Sequence, residues 1–119
     1  MAYVEKAEDL EVFKKSYPLS LQVHKLSQEL PKSEQYDLAS QMRRASKSVC
    51  ANLGEGFVKQ KIYPNELKRF VSMSAGSAGE MKIWLKYCLD LGYIDEQNYN
   101  NLQKEYEQVI RMLVALAKA

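Results

Sequence analysis

The chain has few of the residues that interrupt regular structure, with five glycines and three prolines among 119 residues. The many tight turns of a β-sandwich or β-barrel would need more of both, so an all-β fold is disfavoured. A chain of this length forms a single domain, 1–119, that buries roughly two-thirds of its unfolded surface. Hydrophobic residues make up 46% and charged residues 27%, which is typical of a soluble globular protein.

Cysteine and histidine are also scarce, and their scarcity excludes several kinds of chemistry. Cys50 and Cys88 form no CxxC pair or metal-ligand cluster, so we expect two reduced packing residues. His24 is the one histidine, and with Leu21 three positions before it there is no Glu-x-x-His motif of a di-metal helical bundle. We expect His24 to be a hydrogen-bonded structural residue. No nucleophile elbow or phosphate-binding glycine loop is present, so we predict no enzyme activity, no metal site and no cofactor.

Long hydrophobic runs are missing as well. The longest purely apolar run is Met112–Ala117, far short of the ~20 residues that span a bilayer. Several acidic residues lie between Glu5 and Glu11, which is unlike a secretory signal peptide. The expectation is therefore a cytoplasmic protein that makes no membrane contact.

Four segments with helical periodicity follow one another, separated by short breaks. They are expected at about Asp9 to Leu30, at about Ser33 to between Phe57 and Lys61, from Pro64 to Gly92, and from the capping residue Asp95 onwards. Gly92 is expected to end the third helix as a left-handed cap. Pro18 lies within the first segment, where we expect a kink and no break because the periodicity continues across it. Short connections make consecutive helices antiparallel, so the sequence predicts an all-α, up-down-up-down antiparallel four-helix bundle.

The first segment carries two apolar lines at helical spacing. One contains Leu10, Phe13, Tyr17 and Leu21, and the other contains Val12, Leu19, Val23, Leu26 and Leu30. A helix in a monomeric bundle buries one such stripe against the core. The second line therefore predicts contact with a neighbouring subunit, and we expect a homo-oligomer.

The second segment carries an apolar face with a polar line directly beside it. The polar line is Gln41, Arg44, Ser48, Asn52 and Glu55. Hydrogen-bonding side chains at the edge of a core need fixed partners, and Ser77 and Glu80 of the third segment are placed to supply them. We predict a structural polar network of Gln41, Ser48, Asn52, Glu55, Ser77 and Glu80 that fixes register and partner choice. Small residues of the third segment, Ser72, Ala75, Gly76 and Gly79, favour close packing of another helix against it, and the alternatives are a ligand groove or a simple surface. Gly54 and Gly56 also favour close backbone approach.

The positive charge of the chain is concentrated in one region. Residues 32–69 carry eight lysines and arginines against four acidic residues, a net +4, whereas the whole chain has +2. Arg43, Arg44 and Lys47 are expected together on the solvent side of the second helix, Lys59 and Lys61 at its end, and Lys68 and Arg69 on the next helix. These residues form either an ordinary solvated face or a nucleic-acid-binding surface. Phe57 and Tyr63 are the only aromatic residues among them, which indicates a base-stacking platform only weakly.

A specific pattern of residues runs through the second and third segments. It comprises Leu38, Gln41, Arg43, Arg44, Ala45, Ser48, Asn52, Glu55 and Gly56, then Gly76, Ser77 and Glu80, then Leu89, Leu91, Gly92 and Tyr93. This pattern closely resembles the four-helix bundle proteins encoded in 23S rRNA intervening sequences, also called the S23 ribosomal protein family. It is also similar to the accessory variability determinant of diversity-generating retroelements. The likeness extends from Leu10 to the last helix.

The resemblance implies rings of five subunits whose basic surface associates with RNA or nucleoprotein, and it carries over no catalytic residue. The chain departs from the family pattern at Ser46, Lys47, Gly54 and Pro18, of which Lys47 adds charge and Pro18 lies in a predicted subunit contact. We therefore hypothesise a non-enzymatic, oligomeric protein that associates with structured RNA or a ribonucleoprotein. The alternative is a protein-interaction scaffold without nucleic-acid contact, and an enzyme is a distant third.

Overall fold

The structure, a computed structural model, describes residues 4–119. Helices make up most of this range, and it contains no β-strand. The four α-helices are α1 (Glu11–Glu29), α2 (Leu38–Lys59), α3 (Glu66–Asp90) and α4 (Glu96–Lys118), and short 3-10 turns at Ala7–Asp9 and Lys32–Glu34 precede α1 and α2. The predicted all-α class is confirmed.

Each helix packs against its neighbours in the sequence. The contact between α2 and α3 is the most extensive, those of α3 with α4 and of α1 with α2 follow, and α1 touches α4 much more loosely. The resulting bundle measures 44 × 25 × 18 Å. Because the connections are short, consecutive helices run antiparallel, and the predicted up-down-up-down arrangement is confirmed.

The core lies along the bundle axis and takes side chains from every helix. Val23, Val49, Leu85 and Val109, one from each helix, are completely buried, and Tyr106 is the largest fully buried side chain. These residues belong to the apolar lines at spacings of three and four that make each helix amphipathic. Burying one such aliphatic side chain stabilises the fold by roughly 1.5–3 kcal/mol, which is why the apolar period decides where the helices form.

The ends of α3 and α4 have the capping residues that the sequence predicts. Gly92 follows α3 with a φ of +80°, a left-handed conformation that glycine adopts without steric cost. The Tyr93 amide then donates to the Cys88 carbonyl oxygen at 2.8 Å and closes the helix end. At the start of α4 the Asp95 carboxylate accepts a 2.7 Å hydrogen bond from the Asn98 amide. Both predicted caps are confirmed.

The start of α2 differs from the prediction. The helix begins at Leu38 and not near Ser33, because the preceding residues are held in a turned connection. The Gln35 side-chain amide donates to the carbonyl oxygens of Ser27 and Leu30, at 2.9 and 3.0 Å, and so caps the end of α1. Because its side chain caps α1, Gln35 lies in the connection and not in α2.

The start of α3 also lies later than predicted, at Glu66 and not at Pro64. The Glu66 amide donates to the Tyr63 carbonyl oxygen at 3.0 Å, which closes a turn over Tyr63–Glu66. Pro64 is the second residue of that turn, a position that its fixed φ favours. Proline therefore shapes the turn here and does not start the helix.

Pro18 does not break α1, which continues from Glu11 to Glu29 as predicted. The proline lies on the exposed side of the helix, where its ring points away from the core.

Gly56 allows α2 and α3 to approach each other closely. A Cβ atom added there would lie 2.8 Å from the Phe70 Cβ, nearer than side-chain atoms pack. Gly54, Gly76 and Gly79 have open space at the same position, so within this chain close approach is confirmed at Gly56 and is not found at the other three. No helix within the described range covers Gly76 or Gly79.

The two cysteines are free thiols, as expected, and burial raises the pKa of each to about 11. Cys88 is fully buried with its Sγ 3.5 Å from the Met42 Sδ. His24 differs from the prediction, because its buried Nδ1 has no hydrogen-bond partner among residues 4–119.

Candidate nucleic-acid interface and polar seam

A line of hydrogen-bonded side chains follows the outer edge of the α2–α3 contact. We call it the polar seam and define it as Gln41, Arg44, Ser48, Asn52, Ser77 and Glu80. At one end Arg44 of α2 forms an ion pair with Glu80 of α3 and also donates to the Gln41 side-chain oxygen at 2.9 Å. The Glu80 carboxylate accepts a second hydrogen bond, at 3.2 Å, from the indole nitrogen of Trp84. Arg44 is thus engaged in the contact between helices.

The other end of the polar seam centres on Ser48. Its hydroxyl oxygen lies 2.9 Å from the Ser77 Oγ of α3, and the Asn52 side-chain amide donates to the same hydroxyl oxygen at 2.9 Å. Asn52 also donates to the Ser48 carbonyl oxygen. One turn before Ser77 on α3, the buried Ser74 donates to the Val49 carbonyl oxygen at 2.7 Å. These bonds fix the register of α2 against α3.

Glu55 lies outside the polar seam, contrary to the sequence prediction. Its side chain is 51% exposed and pairs with Lys59 one turn further along α2, at 3.5 Å. The helical spacing placed Glu55 on the right line, but α3 does not cover that position. An exposed ion pair of this kind contributes less than about 1 kcal/mol to stability.

Arg43 also differs from its predicted environment. We expected it on the solvent side of α2 with Arg44 and Lys47, but it is partly buried between α1 and α2. Its guanidinium donates to the Ser27 Oγ at 3.0 Å and to the Gln35 carbonyl oxygen at 2.7 Å. Arg43 thus joins the end of α1 to the start of α2, and its donors are directed into the protein.

Lys47, Lys59 and Lys61 are accessible but do not form one patch. Lys47 is exposed on α2, about 18 Å along the helix axis from Lys59. Lys59 pairs with Glu55, and its Nζ lies 4.8 Å from the centre of the Phe70 ring. Lys61 is exposed in the turn after α2.

The structure instead groups basic side chains at the turn between α2 and α3. We call this group the basic end and define it as Lys59, Lys61, Lys68 and Arg69. Glu55 pairs with Lys59 and Glu66 pairs with the exposed Arg69. Lys61 and Lys68 are exposed as well, and neither forms an ion pair within residues 4–119. Tyr63 lies in the same turn with 65% of its surface exposed, whereas Phe57 is buried in the core. Tyr63 is thus the accessible aromatic ring beside the basic end.

One of the two apolar lines of α1, the line of Leu10, Phe13, Tyr17 and Leu21, remains partly uncovered. Tyr17 is 50% and Leu21 is 54% exposed, while Leu10 and Phe13 of the same line are partly buried. The Phe13 and Tyr17 rings stack with centres 5.9 Å apart. Large apolar side chains in a continuous line on one helix are more often covered by a partner than a single scattered one.

Two residues that take part in these hydrogen bonds, Trp84 and Gln35, were not identified from the sequence. Trp84 is four residues after Glu80, a helical spacing that predicts their contact, and it is the single tryptophan of the chain. Gln35 serves both Arg43 and the end of α1, and no spacing rule identifies it because it lies in a connection.

Within residues 4–119, no group of three or more histidine, cysteine, aspartate or glutamate side chains could hold a metal ion. Across the same range, no helix combines the length and the apolar character needed to cross a membrane.

The fold and the polar seam together define a four-helix bundle in which hydrogen bonds between side chains join α2 to α3. The chain belongs to the 23S rRNA-intervening sequence protein family, whose model matches residues 8–115. It is also similar to the crystal structure of a protein of unknown function from the S23 ribosomal protein family of Bacteroides thetaiotaomicron. That similarity has a TM-score of 0.80 at 19% identity and covers 91% of this chain and 96% of the other, which shows a shared fold. No curated protein matches the chain.

Proposed function

We propose that this chain is a non-enzymatic, oligomeric bundle protein of the cytoplasm that associates with structured RNA or a ribonucleoprotein. The observation that carries the proposal is the basic end, where Lys61 and Lys68 are exposed beside the accessible ring of Tyr63. Lysines contact phosphates irrespective of base sequence, and an exposed ring stacks on an unpaired base. Shape and backbone contacts dominate such recognition of folded RNA.

Oligomerisation would multiply this small surface. The uncovered part of α1, Tyr17 and Leu21, and the open strip of α3 at Gly76 and Gly79 are both available for contact between subunits. A ring of five subunits, as the family resemblance implies, would present the basic end five times, and avidity would rise without new contacts.

Binding of a structured RNA hairpin, measured at several salt concentrations, tests the RNA proposal. We expect the logarithm of the affinity to fall with that of the salt concentration, with a slope of about −0.7 to −0.9 per phosphate neutralised. Reversing Lys61 and Lys68 to glutamate should flatten this slope by about 1 for each lysine. The matched control reverses Lys104 and Arg111, two exposed cations on α4, and should leave the slope unchanged. Equal losses of RNA affinity and of salt dependence in the two double variants would mean that the overall charge of the protein, and not the basic end, causes the binding.

The scaffold without nucleic-acid contact is the second candidate, and one observation favours it. Arg43 is directed into contacts within the chain, and the more exposed Arg44 and Lys59 form ion pairs, so three of the five residues predicted to bind RNA have partners within the chain. If the wild type binds no structured RNA near physiological ionic strength, the scaffold function replaces the RNA function.

Light scattering coupled to size exclusion, at micromolar protein, tests the oligomer. We expect Leu21→Glu to reduce the number of subunits, since it places a charge in the uncovered line of α1. Val58→Glu is the matched control, because Val58 is also an exposed apolar residue, at 62%, but lies on α2. A monomeric wild type would contradict the oligomer.

A further inference from the structure

A cleft with aromatic walls lies at the end of the bundle where α2 begins and α3 ends. It encloses about 520 Å³ and is lined by Glu34, Asp37, Leu38, Gln41, Trp84, Tyr87 and Leu91. Trp84 and Tyr87 have ring centres 6.0 Å apart with planes tilted by 41°, so two adjacent rings contribute to one side of the cleft. Tyr87 and Leu91 are both about half exposed, although they are large and apolar.

The charged groups that line the cleft are both negative. Glu34 lies in the 3-10 turn and Asp37 immediately precedes α2. Asp37 makes no side-chain capping bond to α2, and it is exposed. The positive partial charge at the start of α2 is opposed by the negative partial charge at the end of α3, since both helix ends lie here. The two carboxylates therefore decide the electrostatic potential of the cleft.

The surroundings hold these groups in place. Glu34 accepts a 2.7 Å hydrogen bond from the Tyr93 hydroxyl, and this bond raises the pKa of Tyr93. Trp84 is fixed by its own hydrogen bond to Glu80, whose charge is compensated by Arg44. The Trp84 ring and the Glu34 carboxylate are thus preorganised, so little of their side-chain entropy is lost when a ligand enters.

Aromatic faces beside uncompensated carboxylates attract a cation and repel a phosphate. A guanidinium fits best, because its plane stacks on a ring while its edge donates to carboxylates. We propose that this aromatic cleft binds an arginine side chain presented by a basic segment of a partner protein. The cleft lies on a single subunit and has the opposite charge to the basic end, so this inference does not depend on the RNA proposal.

The emission of Trp84 reports occupancy directly, because it is the only tryptophan. The probe is a capped Gly-Arg-Gly tripeptide titrated into the full chain, with the same tripeptide carrying citrulline as the uncharged control. We expect a saturable change in emission with a dissociation constant on the order of 1 mM, as suits a few contacts. The citrulline tripeptide should bind at least about tenfold more weakly, and a lysine tripeptide should bind several times more weakly.

Variants of the carboxylates assign the site. Asp37→Asn and Glu34→Gln should each weaken the arginine tripeptide about threefold to tenfold, and the second keeps an acceptor for Tyr93. Asp90→Asn is the matched control, since Asp90 pairs with Lys86 at the same end of α3 but does not line the cleft, and should bind as the wild type does. Circular dichroism establishes that each variant is folded.

Several outcomes would overturn the assignment. Equal binding of the arginine and citrulline tripeptides would show that charge plays no part, and equal binding of the lysine tripeptide would remove the preference for guanidinium. Unchanged binding in both Asp37→Asn and Glu34→Gln would place the tripeptide elsewhere. A single-stranded oligonucleotide that displaces the arginine tripeptide and changes Trp84 emission equally in Asp37→Asn would make the cleft a base-stacking site instead.

Discussion

The guanidinium of Arg43 donates a 2.7 Å hydrogen bond to the backbone carbonyl oxygen of Gln35, eight residues earlier in the chain. The same guanidinium reaches the Ser27 Oγ near the end of α1. One side chain thus connects the last turn of α1, the connection and the first turns of α2. Its contacts predict a stability role for a residue whose sequence context suggested RNA contact.

Arg43→Ala should lower the free energy of unfolding by about 1.5–3 kcal/mol, because hydrogen bonds from a charged group are lost and the Gln35 carbonyl is left without this donor. Arg43→Lys should recover only part of this loss. The donors of lysine are all on one nitrogen, whereas the planar guanidinium of arginine carries donors on separate nitrogens that reach separate acceptors. Urea denaturation followed by circular dichroism measures both. Lys47→Ala is the control and should change stability by no more than about 0.5 kcal/mol. Equal stability of Arg43→Ala and Lys47→Ala would contradict the structural role.

Two glycines on one helix should respond to the same substitution with opposite signs. Gly56→Ala should destabilise by about 1–3 kcal/mol, because the new methyl group would overlap Phe70 and force α2 and α3 apart. Gly54→Ala should stabilise by up to about 1 kcal/mol, since the site is open and alanine has the higher helix propensity. Thermal unfolding of the two variants measures the difference. A destabilised Gly54→Ala together with a neutral Gly56→Ala would show that the helices are spaced otherwise.

Removing the Asn52 amide from the polar seam should lower stability. Asn52→Leu deletes two hydrogen bonds to Ser48 and should lower the free energy of unfolding by about 1–3 kcal/mol, or change the number of subunits. Glu55→Gln is the matched control on the same helical line and should have little effect, because Glu55 is exposed. Melting temperature and light scattering would be compared for both. If Asn52→Leu matches the wild type in both measurements, the seam is ordinary surface.

How far the sequence predicts this structure depends on the range of the interaction involved. Helical period and capping chemistry are local, so the apolar lines, the Asp95 cap and the left-handed Gly92 are all readable from residues a few positions apart. The polar seam is also local in origin, since Ser48 and Asn52 are one turn apart on α2, and only their partner on α3 must be inferred.

The environment of Arg43 could not be read in this way. It depends on Gln35, whose position in a connection follows from the packing of α1 on α2 and from no periodic rule. The prediction for Glu55 is wrong for a related reason. Its helical line is correct, but how far α3 covers that line depends on the packing of the whole bundle. The exposed or buried state of a charged side chain therefore needs the tertiary structure.

The buried Cys88 thiol and the partly buried Cys50 thiol predict a specific pH dependence. Burial raises the pKa of both Cys50 and Cys88 to about 11, so the folded state favours the neutral thiol. Above the ordinary thiol pKa of 9.0 the unfolded chain releases these protons while the folded chain retains them. Stability should therefore fall as the pH rises from about 9 to about 11, and burial of Tyr106, whose pKa is also raised, acts in the same direction at higher pH.

Urea midpoints measured across this pH range test the effect. The double variant with Cys50→Ser and Cys88→Ala is the comparison, and its stability should decline less steeply over the same interval. Iodoacetamide should alkylate both cysteines slowly in the native protein and quickly in urea, because the thiolate is the nucleophile. Rapid native alkylation at neutral pH would show that the thiols are accessible.

The close contact of helices adjacent in sequence has a kinetic consequence. Native contacts in this bundle are mostly between neighbouring helices, so little loop-closure entropy is lost before they form, and folding in microseconds to milliseconds is typical of such low contact order. The hairpin of α2 and α3, with the largest contact, is the natural folding nucleus. The weak contact between α1 and α4 should form last, which makes detachment of α1 the opening motion of lowest free energy.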